Sequence, residues 1–353
     1  MRREATSTHG WLTRAALATV VLIGAFLIVL PVATSLPSKS DASGSMMTAF
    51  RPQMTDAALA QGRADQQTMA AMGDQLNNAM IPALAAQMQM TPQQLSSYLA
   101  ANFPATGKGM AALPSMLPFF TNLQDTMQAQ QANFQQADQI PTGFLPPTTM
   151  TVLFVIPGVL LVLTGLLGLY RPARVRSALA AASVVALLTV VGLLSVSMSS
   201  KASAADEMTT AFQPVFAAQN VQQARAYTDT AQAMSTEFTT ATLPGLATAL
   251  HVTPAQLSAT MAQNFPAVAT GVAQLPQIVQ RMQTATGLIE ANAGNYAQTA
   301  SIPWSPGSMV TMFWLMMAPA LLALGVGVGA LAASSRRPTV LQPASTMRGA
   351  LHH

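Results

Sequence analysis

Chemistry in this 353-residue chain would have to come from twelve carboxylates and four histidines, with no cysteine. Without cysteine there is no thiol nucleophile, no disulfide framework, and no zinc or iron–sulfur site built on thiolates. His9 and the pair His352–His353 fall in short terminal tails, and His251 stands alone. A Ser–His–Asp arrangement or a histidine-based metal site therefore cannot be assembled. No glycine-rich phosphate loop is present. The 23 methionines include Met46-Met47, Met69/Met72 and Met88/Met90, spacings that soft Cu(I) accepts. Helical methionine more often fills gaps in a core or makes an adaptable apolar surface. The reading is of a non-enzyme with no cofactor and no metal.

A second filter is internal. The latter half of the chain aligns with the first at one constant offset, without a gap. Arg14 falls on Arg176, Phe50 on Phe212, Pro82 on Pro244 and Pro157 on Pro319. The densest block is TPQQLSSYLAANFPATGKGMAALP against TPAQLSATMAQNFPAVATGVAQLP. Such self-similarity is the mark of a tandem duplication. Asp56, Asp65, Asp74, Asp125 and Asp138 meet Ala218, Tyr227, Thr236, Gly287 and Ala300. No acid–base pair is thus common to both copies. Only Met46 and Met72 of the paired methionines recur, as Met208 and Met234, which weakens a copper reading.

Two shared features remain as candidate binding residues. Arg63 and Arg225 form a shared charged pair, able to contact an anion or a lipid headgroup. The plainer alternative is a helix-surface arginine that covers apolar area or meets a nearby acid. Asn102-Phe103-Pro104 and Asn264-Phe265-Pro266 could form a partner-binding knuckle. The plainer alternative is a turn with its phenylalanine plugged into the core.

The elements that carry these residues follow from hydropathy. Segments 15–36, 149–170, 177–198 and 309–333 are apolar and contain no Asp, Glu, Lys or Arg. Each has the length needed to cross about 30 Å of hydrocarbon, and each should be a helix. Pro157 and Pro319 should kink two of them. Gly325 and Gly329 give the fourth a G-x-x-x-G spacing for close helix contact. Arginines gather in the tail 1–14, the loop 171–176 and the tail 334–353, which together carry net +8. The long segments 37–148 and 199–308 are each net −2. By the positive-inside rule, both termini face the cytoplasm of a bacterial plasma membrane and the long segments face out. Trp11, Tyr170 and Trp304 sit at the expected interfaces. The pI near 9.9 is then a signature of orientation, and nucleic acid is not an expected partner. The first span matches the internal third, so it reads as a retained anchor rather than a cleaved leader.

Both long segments read as helical. Met69, Met72, Leu76 and Met80 recur at helical spacing. Thr91-Pro92-Gln93-Gln94 and Thr253-Pro254-Ala255-Gln256 are helix starts with a capping box. Phe103-Pro104 should end the short helix that follows, and Pro114 should break the next one. Leu117, Phe120, Leu123, Met127 and Phe134 are expected to point inward.

The expected fold is an all-α membrane protein. It has four transmembrane helices and two α-helical extracytoplasmic domains in a tandem, parallel repeat. No folded domain fits in the short cytoplasmic parts. The functional expectation is an accessory or scaffold protein of the cell envelope. It would dock a membrane complex, with membrane lipids and other membrane or envelope proteins as partners. A carrier or receptor for a lipid or apolar ligand, with a cleft between the two domains, is the alternative. A channel or transporter subunit is a further one, disfavoured because the spans contain no ionisable group.

Overall fold

The computed structural model describes residues 5–140, 149–305 and 307–335. Arg2, Arg3, Pro141, Arg336, Arg337, Arg348, His352 and His353 lie outside them. Among the described residues the chain is helical and has no strand. The helices are α1 (Ala5–Ala33), α2 (Leu36–Phe50), α3 (Asp56–Gln75), α4 (Ile81–Gln87), α5 (Pro92–Asn102), α6 (Pro104–Ala129), α7 (Gln131–Ala137) and α8 (Thr149–Tyr170). They continue as α9 (Val175–Ser195), α10 (Met198–Phe212), α11 (Ala218–Glu237), α12 (Leu243–Ala249), α13 (Pro254–Asn264), α14 (Pro266–Thr299) and α15 (Met309–Ser335).

The chain divides into two compact units. The first holds most of four helices long and apolar enough to span a membrane: Gly10–Ala33, Thr149–Tyr170, Pro172–Ser195 and Met309–Ser335. These are the features of a membrane protein. Two expected spans end earlier than hydropathy placed them, at Ala33 and Ser195. Ser35 and Ser197 turn left-handed there, with φ near 53° and 52°, and a helix cannot continue through that conformation.

Within this unit the close contacts run through glycine. A Cβ on Gly24 of α1 would meet the carbonyl oxygen of Gly158 of α8 at 2.6 Å, so the two backbones touch directly. Gly165 lies over Leu17 and Val21 of α1, and Gly327 of α15 lies over Leu179 and Ser183 of α9. Gly325 and Gly329, expected at a helix contact, face open space instead. The reason is angular: Gly327 is two positions, or about 200°, away from either on the helix. Ala16, Leu17, Ala178 and Leu179 form a small core where α1 meets α9. Pro157 and Pro319 lie inside α8 and α15, which continue through them.

The second unit contains Ser35–Thr149 and Met198–Met312. The bounds of α2, α3, α4 and α5 recur in α10, α11, α12 and α13 at the same offset that places Arg14 on Arg176. Local causes recur as well. Residues 76–80 and 238–242 widen into one π-turn each, ending two residues before Pro82 and Pro244. Proline offers no N–H to the carbonyl four residues back and crowds it, and a wider turn relieves the clash. Thr91 and Thr253 both close complete capping boxes with Gln94 and Gln256. Gln89 and His251 are both left-handed, and the N–H groups of Met90 and Val252 reach back to Ala85 and Ala247 in Schellman caps. This gives His251 a structural place as a helix terminator.

Pro114 does not break its helix; α6 runs from Pro104 to Ala129 through Pro114 and Pro118. Buried Leu113 and Met116 flank the first proline on the core side while its own ring is exposed. Packing of that face outweighs the roughly 3 kcal/mol that an internal proline costs.

Segments 37–148 and 199–308 do not fold side by side. α3 packs on α6 and on α14, and α11 packs on α14 and on α6. α2 packs on α14, and α10 packs on α7. One core cluster joins Met80, Leu84, Leu95 and Phe103 to Leu246, Leu257, Met261 and Val268. A second joins Met69, Met72, Leu113 and Met116 to Ala231, Met234, Leu275 and Ile278. The physical reason is that each segment's helices carry apolar stripes on more than one face. The additional face is covered by the other segment.

Candidate functional site

Of the sequence candidates, Asn102, Phe103, Phe265 and Arg225 make contacts within the helical unit, while Arg63 and Asn264 lie exposed. Phe103 ends α5, is buried, and lies directly against Gly245 of α12, where any side chain would collide with its ring. Phe265, at the matching position, packs on the same cluster but is only half-buried. The counterpart of Gly245 in the first half is Ala83, so the second phenylalanine has no matching glycine. Asn102 donates from its side-chain amide to the Tyr98 carbonyl, closing its own helix end. Asn264 is exposed. Arg225 pairs with Glu290 at 2.8 Å on an exposed surface. Arg63 is exposed and has no ion pair among the described residues. The phenylalanines are thus brought into one core. The arginines form no common site.

The cavity with the most concentrated chemistry lies elsewhere, between α3, α6 and α14; it is open on one side and has a volume of about 130 Å³. Its apolar wall includes Met69, Met116, Phe120, Met127 and Met282, and its polar wall includes Asp65 and Arg281. The Asp65 carboxylate accepts from Arg281 Nε at 2.6 Å and from Nη2 at 2.7 Å, a two-pronged pair. It also accepts from Gln61 Nε2 at 2.8 Å. Its side chain is only 11% exposed, against 40% for Arg281. Gln66 and Gln124, also in the wall, donate to the Phe120 and Leu59 carbonyls. Gly62 allows Gln124 to lie against α3, since a Cβ there would meet its amide at 2.6 Å.

A second cavity of about 290 Å³ sits at the corresponding place on α6, α11 and α14, lined in part by Phe119, Val215, Asn220, Ala224 and Ile289. These are the counterparts of Arg281, Gln53, Ala58, Gly62 and Met127, all of which line the first cavity. Where the first has Asp65 and Arg281, the corresponding residues are Tyr227 and Phe119. Their rings meet edge to face, with centroids 5.5 Å apart. Where the first has Gln66 and Gln124, Thr228 and Thr286 share a hydrogen bond of 3.0 Å. At these matched positions one half carries an ion pair and amides, the other aromatics and hydroxyls.

No protein-family model matches the chain, and no curated protein matches it. Its chemistry is read from its own residues.

Sequence reasoning missed Asp65 and Arg281 because neither is matched by a charged residue in the other half. The usable signal was Asp65 standing in the stripe Leu59, Asp65, Met69, Met72, all buried on one face of α3. A carboxylate inside an apolar stripe must find a partner, and that partner lies 216 residues away. Among the described residues no group of three His, Cys, Asp or Glu could hold a metal ion.

Proposed function

We propose that the protein is a non-enzymatic scaffold of the bacterial plasma membrane. On this reading it is a tandem duplication of one span–segment–span unit. Its helical unit stands on the extracytoplasmic side and docks a larger membrane complex. The observation that carries the reading is the exchange of helices between the halves. Met72 lies against Gly271 while Met234 lies against Gly109, in reciprocal fashion. Interlocked in this way, the helical unit offers two related surfaces to a partner, as at α5 and α13. The charge distribution along the sequence supports the orientation. The uncharged spans favour an anchor over an ion pathway.

The absence of cysteine makes a direct test available. A single cysteine replacing exposed Gln93 should react with a membrane-impermeant maleimide in intact cells, and one replacing exposed Ala173 should not. Photo-crosslinkers at Gln93 and at the matching Ala255 should each capture a discrete membrane partner after mild solubilisation. Capture of nothing but the chain itself would overturn the scaffold reading. The carrier reading is weaker on size. Cavities of about 130 and 290 Å³ fall below the roughly 300–1,000 Å³ of ordinary ligand pockets, and neither takes a whole lipid.

A further inference from the structure

We propose that the cavity between α3, α6 and α14 is a binding site for a small uncharged molecule, with an apolar body of about benzene size and one hydrogen-bond acceptor that meets Arg281. The size follows from the volume of about 130 Å³. An apolar protein cavity of about 150 Å³ takes benzene. Four of its wall residues are the thioethers Met69, Met116, Met127 and Met282, which reshape around a guest at little cost.

The polar preference follows from the ion pair. Asp65 is occupied by Arg281 and Gln61. Arg281 spends Nε and Nη2 on Asp65, which leaves Nη1 as a donor on a side chain still 40% exposed. The pair is neutral as a whole, so an uncharged acceptor such as a ketone, ester or amide oxygen is favoured over an ion.

The protein contains its own control. Replacing a buried ion pair by packed apolar residues is often neutral or stabilising. At the corresponding location the chain has made that replacement, with Tyr227 and Phe119. The fold therefore does not require charge at this place. Asp65 and Arg281 stand where the architecture tolerates two rings, and recognition is what an ion pair adds there. The small residue Ala285 also lines the cavity, and its counterpart in the first half is the larger Leu123.

Acetophenone is a suitable probe, with ethylbenzene as its counterpart lacking the carbonyl. The full chain in lipid nanodiscs, carrying methionine labelled with carbon-13 at the methyl group, reports directly. The second cavity has no methionine in its wall, so the signals of Met69, Met116, Met127 and Met282 read the first alone. Acetophenone should shift these signals saturably and bind about tenfold more tightly than ethylbenzene, the worth of one hydrogen bond. The double substitution Asp65→Tyr with Arg281→Phe, copied from the other half, should stay folded and lose that preference. Ala285→Leu should fill the cavity and abolish binding of both probes. The proposal is overturned by an absence of saturable shifts, by equal affinity for the two probes, or by a folded double variant that keeps the preference. Should the double variant fail to fold, undiminished binding by folded Ala285→Leu overturns the site.

Discussion

Gln75 and Glu237, which occupy matching positions in the two halves, each cap a helix that belongs to the other half of the chain. Gln75 Oε1 accepts from the backbone N–H groups of Ala267 and Val268, in the first turn of α14. Glu237 Oε2 accepts from the N–H of Thr106, in the first turn of α6. These helix starts begin at Pro266 and Pro104, whose own preceding residues are phenylalanines without a capping side chain. Glu237→Gln keeps the acceptor and loses the charge that favours a helix N-terminus. It should cost about 0.3–1 kcal/mol. Glu237→Ala removes both and should cost about 0.5–2 kcal/mol. Denaturant unfolding of the solubilised protein measures the order; an unchanged Glu237→Gln would show that the charge contributes nothing, and equal losses that the acceptor without its charge contributes nothing.

Two glycines of α14 should respond in opposite senses to alanine. At Gly271 a Cβ would meet the Met72 Cβ at 2.7 Å, so Gly271→Ala must force α3 and α14 apart, costing about 1–3 kcal/mol. At Gly287 nothing lies within 4 Å. Gly287→Ala should therefore stabilise, by up to about 1 kcal/mol, through better helix propensity. Thermal unfolding of the two variants under one condition checks the sign.

The ion pair makes a third contrast. Asp65→Ala leaves the guanidinium of Arg281 without its carboxylate. Because Arg281 is 40% exposed, water offsets part of the loss, and a cost of about 1–2 kcal/mol is expected. The paired change Asp65→Tyr with Arg281→Phe should lie within about 1 kcal/mol of the starting protein. A double variant that loses as much stability as Asp65→Ala would show that packed rings do not replace the pair at this place.

Tyr296 predicts a dependence on alkaline pH. Burial raises its phenol above the usual value near 10, and its hydroxyl donates to the Thr209 carbonyl at 2.7 Å. Phe216 stacks on its ring with centroids 4.4 Å apart. The raised value in the folded state means that the unfolded chain releases the proton first. Stability from this group is complete below about pH 10 and is lost as pH rises through the folded value. Tyr296→Phe should remove that alkaline component and flatten the stability profile above about pH 10.

In the membrane-spanning unit, Gly327→Ala and Gly325→Ala should differ although both change one glycine of α15. The first drives a methyl into Ser183 of α9, and the second meets open space. Only the first should lower the thermal stability of the protein in detergent.

Much of this was legible in the sequence. The four apolar helices, the two capping boxes and the helix ends at Asn102 and Asn264 follow from local rules, because the deciding interactions lie within a few residues. Pro114 misled because a proline's local cost was outweighed by a face of α6 that packs against another part of the chain. Gly325 and Gly329 misled because the motif spacing is right while the helix rotation that selects Gly327 is set by α9. The exchange of helices had no local signature at all. The stripe Met69, Met72, Leu76 reads the same whether its cover comes from α6 nearby or from α14 far along the chain. Matching the two halves has a blind side as well. It brings out chemistry that both halves share, and Asp65 and Arg281 are where the halves differ.

The exchange of helices has a consequence in time. While the ribosome is still making α14, the faces of α2 and α3 that it will cover have no partner. At about 5–20 residues per second, the second half follows the first by roughly ten to thirty seconds. Through that interval Met72, Leu84 and Phe103 stay open to any other apolar surface. Newly made chains at high local density would then be able to supply each other's missing helices. Slowing translation between α7 and α10 lengthens that window, and entangled dimers should rise with it.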